Sequence, residues 1–250
     1  MKRAVTFDFW DTLVVDDSDE LDRRALGLPP KPEARAMAVV EAVRGVADVG
    51  ESAIRAAWDA ALATFYEQWK VEHRTPHVRE RVASVFASFG LESALEAQAS
   101  LVEHLATMEV VHPPRLAPGV LEVLHDLRGR VRVGIISDTI FTPGSGLRRI
   151  LRDHNLAGFF DAMIFSDEVG CSKPSQNIFL EAASQLGVAP DALIHVGDRG
   201  VNDVDGPRSV GALGWLYAGV VDRHPEGWGG APKLLHHDLI PAMLDGLGVP

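Results

Sequence analysis

Residues 4–13 read AVTFDFWDTL, and the fold turns on that stretch. A short apolar run of strand-favouring residues stops at a polar cluster, Asp8, Asp11 and Thr12, which puts the carboxylates where a buried strand emerges into solvent. In parallel α/β sheets that end of the strand is where ligands bind. Three later apolar runs stop in the same way, each at a different polar residue: IISDT at 135–139, GCSKP at 170–174 just after the run at 162–165, and LIHVGD at 193–198. Side by side in one sheet, these strands would bring an aspartate, a serine, a lysine and a further pair of aspartates to one rim. That grouping is enzyme-like.

Between the first and second runs the pattern changes. Asp16, Asp17, Asp19 and Glu20 form an acidic run expected in a solvated loop, and Pro29, Pro30 and Pro32 then punctuate the chain. From about 33 to 108 the apolar residues recur only at three- and four-residue steps, Ile54, Trp58, Ala61, Phe65 and Trp69 being the clearest series. Four helices are predicted near 33–48, 51–70, 77–89 and 92–109, packed as a small bundle. Beyond residue 110 strand and helix alternate: strands at 131–136, 162–166, 193–197 and 214–217, helices near 146–154, 175–186 and 203–210. Alternation of this kind argues for right-handed crossovers and a parallel sheet. The predicted fold is α/β, a Rossmann-like five-stranded parallel sheet core formed by 1–16 and 110–250, with a helical-bundle cap domain inserted at 17–109. The tail is Gly- and Pro-rich up to residue 231, then carries a helix candidate at 234–247. There His236 and His237 are adjacent and do not share a helix face, so a surface or capping role is expected.

Composition narrows the function. At 250 residues the chain can bury a sizeable core, and its formal charge of −11 opposes any general affinity for nucleic acid or anionic membrane. An anionic small-molecule substrate must therefore be held by a few local cations. No apolar run approaches the roughly 18–20 residues of a membrane span, and with no leader-like segment the expected location is cytoplasmic. Cys171 is the single cysteine, which excludes an internal disulfide and a thiolate metal cage. Its plain reading is a small loop residue, since reactivity requires a depressed pKa.

The four strand-end motifs together resemble those of the haloacid dehalogenase superfamily, in the branch with a helical cap inserted after the first motif. FDFWDTL (7–13) is similar to its first motif, Ser137 in IISDT to its second, Lys173 in GCSKPSQNIF to its third, and HVGDRGVNDVDGPRSVG (195–211) to its fourth. The resemblance implies Asp8 as a nucleophile that splits one hard displacement into two easier ones through a covalent carboxyl intermediate, and Lys173 as the cation that keeps Asp8 ionised. Pro174 is expected to open a helix whose N-terminus favours anions. Ser137, with Asp138, Thr12, Trp10 and Lys173, is implied in substrate binding. Mg²⁺ is the implied cofactor, held by Asp8, the Trp10 carbonyl and an acid of the fourth motif; Asp198 is favoured as direct ligand, with Asp203 direct or water-mediated. As a plain structural reading, Asp203 would only cap the next helix.

One position departs from the pattern. Phosphatases of the superfamily carry a general acid and base two residues after the nucleophile, where this chain has Trp10, and an indole does not exchange protons near neutral pH. Asp11 is one position further on and, on an extended segment, points the other way unless the chain bends there. Three functions compete: a Mg²⁺-dependent phosphohydrolase, a dehalogenase-like hydrolase in which Asp8 attacks carbon, and a metal- or phosphate-binding module without turnover. Glu67, Trp69, His73 and Arg74 at a helix end, and Arg199 beside Asp198, are candidate contacts to substrate or core, although surface or packing roles are the commoner use of such residues.

Overall fold

The computed structural model describes residues 3–249. At its centre is β1 (Ala4–Phe7), buried throughout. Five helices come next before the chain returns to the sheet: α1 (Asp19–Ala25), α2 (Lys31–Arg44), α3 (Glu51–Lys70), α4 (Val78–Ala87) and α5 (Leu95–Val111). Then come α6 (Val120–Leu127), β2 (Arg132–Ser137), α7 (Gly144–Asp153), β3 (Ala162–Phe165), α8 (Ser166–Val169), α9 (Gln176–Leu186), β4 (Leu193–Gly197), a π-helical turn over Gly200–Asp205, α10 (Gly206–Arg208), β5 (Leu213–Tyr217), β6 (Lys233–Leu234) and α11 (Leu239–Gly246).

The sheet is parallel, in the order β3-β2-β1-β4-β5-β6. It has six strands rather than the expected five, because Lys233 and Leu234 pair with Leu216 and Tyr217 along the edge. Successive residues of each strand serve opposite faces. Val5, Phe7, Val133, Ile135, Ile194 and Val196 join one core, with α6, α7 and α11 over them. Ala4, Ile136, Ile164 and Leu193 join another, with α9 over them. Both faces are covered, so the strands read as near-continuous apolar runs. The order reverses direction at β1, with β2 on one side and β4 on the other, and crevices open at such switch points beyond the strand C-termini.

Helices α2 to α5 share a separate core in which Val39, Val43, Ile54, Trp58, Val82, Phe86, Leu101 and Leu105 are buried together. Gly146 of α7 lets α5 lie close, since a Cβ there would meet Val110 at 3.3 Å and the Ala106 carbonyl at 3.6 Å. The acidic run departs from expectation. Asp19 and Glu20 begin α1, and Asp19 is buried with its carboxylate 2.9 Å from the buried Lys31 ammonium. A seven-residue, largely charged helix carries no apolar stripe by which periodicity could reveal it. The tail also differs, with α11 starting only at Leu239 and His237 buried, its Nδ1 2.9 Å from the Pro118 carbonyl and 3.0 Å from Tyr217 Oη. No helix among the described residues is long and apolar enough to cross a membrane.

Candidate active site

Asp8 lies directly after β1, and its backbone N–H still donates to Val196 O at 2.8 Å, continuing the pairing with β4. That neighbour strand ends at Gly197, so Asp198 emerges beside Asp8. The next turn is the Gly200–Asp205 π turn, which folds Asp203 back into the same space. Gly197 is required for that return, because a Cβ on it would collide with the Asp203 carboxylate. Asp8, Asp198 and Asp203 each offer an oxygen, all within 4.8 Å of one another, and all three residues are buried. Lys173, brought in by the loop between α8 and α9, stands among them: its Nζ is 2.8 Å from Asp8 Oδ1 and 2.6 Å from Asp203 Oδ1.

The route by which Lys173 arrives differs from the sequence expectation. Helix α9 begins at Gln176 with Ser175 as its cap, whose Oγ accepts from Asn177 N, so Pro174 precedes the helix instead of opening it. What fixes Lys173 is Asp138, just beyond β2, whose Oδ1 accepts the Lys173 backbone N–H at 3.0 Å. Asp138 Oδ2 accepts Trp69 Nε1 at 3.0 Å and Asn202 Nδ2 at 3.3 Å. The Asp138 carboxylate therefore ties together the Lys173 loop, the π turn and the end of α3. Ser137 is fully buried with its Oγ 3.2 Å from the Asp138 carbonyl, and Thr12 is fully buried with an Oγ1 that has no partner among the described residues.

The carboxylates of this cluster are not alike. Burial raises Asp8, against the pull of Lys173 and with help from Asp203. Burial also raises Asp198, to about 7, reinforced by the charges of Asp8 and Asp203 and opposed by Arg223. Asp203 is buried as deeply, yet Lys173 and His195 hold it below the usual carboxylate range. The difference lies in the donors. Asp203 Oδ1 accepts from Lys173 Nζ and lies 3.1 Å from His195 Nε2, while Oδ2 accepts Arg199 N at 2.8 Å. Asp198 Oδ1, by contrast, is buried with no partner among the described residues. Burial pulls Lys173 down, but the surrounding Asp203, Asp8 and Asp138 more than compensate and hold it protonated.

Sequence reading did not single out His195 or Arg223. His195 is a lone polar residue in an apolar strand, with Nδ1 3.0 Å from Thr6 Oγ1 and Nε2 on Asp203, and that isolation was the available signal. Arg223 lies in an irregular loop and had none. Its Nε donates to Asp198 Oδ2 and its Nη2 to Asp11 Oδ2. Asp11 has left the extended path, with φ 52°, and its Oδ1 accepts Asp16 N at 3.0 Å, so its carboxylate is committed to protein donors. Of the helix-end candidates, Trp69 reaches the core, Glu67 is exposed, and His73 gives its carbonyl to Ser172 N at 2.8 Å. Arg74 lies in loose ion pairs with Glu72 and Glu80 at 3.8 and 3.6 Å. Arg199 is exposed and, with Trp10, Tyr66, Arg35 and Phe141, lines a cavity of about 170 Å³ between the helical insert and the sheet rim. Burial pushes the Cys171 thiol up, in keeping with a packing role.

A family model for haloacid dehalogenase-like hydrolases matches residues 2–211. The chain belongs to that family. Among curated relatives of this hydrolase, the pyrimidine 5'-nucleotidase YjjG of Escherichia coli is 35% identical over 105 residues, 40% of this chain and 44% of that protein. A glyceraldehyde 3-phosphate phosphatase of Methanopyrus kandleri is 43% identical over 55 residues, 22% of this chain and 24% of that protein. The hydrolase thus spans less than half the length of these relatives. A solved structure of a 2-haloacid dehalogenase from Pseudomonas syringae pv. Tomato shares the fold with a TM-score of 0.64 at 20% identity, covering 99% of this chain and 100% of that one.

Proposed function

We propose that this hydrolase is a Mg²⁺-dependent phosphatase that works through an aspartyl-phosphate at Asp8 on a small phosphorylated substrate. The observation that carries this reading is the buried trio of Asp8, Asp198 and Asp203, with Asp198 Oδ1 left unpartnered among the described residues. Buried carboxylates without enough donors call for a cation. Hard oxygen donors suit Mg²⁺, which needs few protein ligands because it keeps several waters. Asp8 and Asp198 are the side chains available to hold it, with the Trp10 carbonyl as a further oxygen. Asp203, already saturated by Lys173, His195 and Arg199 N, would orient the site or hold the ion through water. Bound Mg²⁺ would neutralise phosphoryl charge.

The residues of the chain then have distinct tasks. One carboxylate oxygen of Asp8 attacks phosphorus, the bond from phosphorus to the leaving oxygen breaks, and that oxygen departs with the electron pair and takes a proton from water. Water next cleaves the acyl phosphate, returning the Asp8 carboxylate and releasing inorganic phosphate. Lys173 keeps Asp8 ionised and faces the phosphoryl charge, while Ser137 offers a neutral donor. Phosphoryl transfer is chiefly a matter of positioning and charge neutralisation, which such a cluster supplies. Trp10 gives no proton and Asp11 is tied up, so substrates whose leaving group needs little protonation are favoured. The helical insert at 17–109 is the cap: it meets the core through Trp69 and Asp138, and the cavity beside Arg199 lies beneath it.

Phosphate release from a panel of phosphoesters, with and without Mg²⁺, beside halide release from 2-haloacids, tests this reading. Metal-dependent phosphate release is the expected result, abolished by Asp8→Asn. Metal-independent halide release would put carbon attack in its place, and silence in both assays would leave a binding module. Near-normal turnover in Asp8→Asn would eliminate the covalent route.

A further inference from the structure

The family match ends at residue 211, yet a segment beyond it reaches the acidic cluster. After β5 the chain loops over the π turn and is fastened there. The Gly200 N–H donates to His224 Nε2 at 3.0 Å, and the Trp228 ring covers Gly200 so closely that no Cβ would fit. Trp228 Nε1 donates to Asp205 Oδ2 at 2.9 Å, and Arg208 Nη1 donates to the Gly229 carbonyl at 2.8 Å. Thus anchored, the loop delivers Arg223, whose guanidinium spans Asp198 on the β4 side and Asp11 on the β1 side.

We propose that Arg223 is a positioning residue for Asp198: by holding Oδ2 it leaves the buried Oδ1 as the oxygen that takes a divalent cation, and the 222–229 loop is the frame that sets it. This rests on the reading of Asp198 as a metal ligand. A guanidinium is a planar fork able to hold two carboxylates at fixed geometry, which a lysine cannot do. Its far end is anchored as well, since Asp11 is itself held by Asp16 N. Groups that orient a metal-binding carboxylate typically matter about 10- to 100-fold in metal affinity. The opposite role is also physically defined: a resident cation beside Asp198 can compete with the metal, and then its removal would tighten binding.

Isothermal titration of the metal-free 250-residue chain with MgCl₂ separates these roles, with wild type, Arg223→Lys and Arg223→Met compared and the metal-free Tm recorded for each. Arg223→Lys conserves charge but not the fork; it is expected to weaken Mg²⁺ binding about tenfold, with little change in metal-free Tm because Arg223 is on a partly exposed loop. Arg223→Met is expected to weaken it at least as much. Wild-type affinity in Arg223→Lys, or tighter binding in Arg223→Met, overturns the proposal while leaving the phosphatase reading intact. Absence of Mg²⁺ binding in wild type defeats that reading, and the role of Arg223 falls with it. If Arg223→Met does not fold, the lysine variant decides alone.

Discussion

Asp138 holds the rim together at the cost of keeping a carboxylate inside protein. Burial pushes its pKa up to about 6, although Lys173 and the N–H groups of Lys173 and Trp69 pull the other way. The unfolded carboxyl, near 3.8, releases its proton first, so the folded state binds more protons between about pH 4 and pH 6. Stability from this residue is full below pH 4, falls through that window, and is flat above it. Asp138→Asn removes the titration. Denaturant unfolding at pH 4 and pH 7 should show wild type losing about 2–3 kcal/mol more than the variant over that range; parallel curves would mean the carboxylate titrates normally. The pairing of Lys173 with both Asp8 and Asp203 belongs to the same scale. The third-motif lysine was legible in sequence, but its division between two acids was not, because that depends on how far the π turn folds back.

The element that decides the acidic cluster is the Gly200–Asp205 turn together with β5. A regular helix over 203–210 was the expected reading, and a π turn followed by the three-residue α10 is found instead. Periodicity does not distinguish the two over so short a span. The tertiary cause is visible at Gly214 of β5: a Cβ there would stand 2.5 Å from Val204 Cα and 2.8 Å from the Asp203 carbonyl, so the turn lies directly on the strand. Those are backbone atoms and cannot swing aside. Gly214→Ala should therefore destabilise by about 1–3 kcal/mol, as overpacking does. It should also lower activity more than stability alone explains, since Asp203 rides on the displaced turn. Chemical denaturation and turnover of the variant check both, and wild-type values for each would show that the turn is slack.

For the molecule as a whole, the proposed phosphatase reading makes cation binding at the three clustered acids and folding one equilibrium. A ligand that binds only the folded chain stabilises it by about 2.7 kcal/mol at one hundred times its Kd. Thermal melts should rise accordingly with MgCl₂ and return on chelation, while Asp198→Asn should blunt the rise; an unmoved wild-type melt would deny the site its ion. The sequence alone determined the parallel sheet, the helical insert and the residues that end each strand, because apolar runs and helical steps are local patterns that survive without a structure. It also placed Asp8, Ser137 and Asp198 at strand ends, since a strand that leaves the core must turn polar, whereas Lys173 comes in past the short helix α8 that periodicity did not reveal. Only the tertiary structure decided that Asp203 is sealed by His195 and Lys173, that Trp69 closes on Asp138, and that Arg223 arrives at Asp198 from beyond the last long strand. Those are contacts between side chains far apart in the chain, and no local period encodes which of them meet.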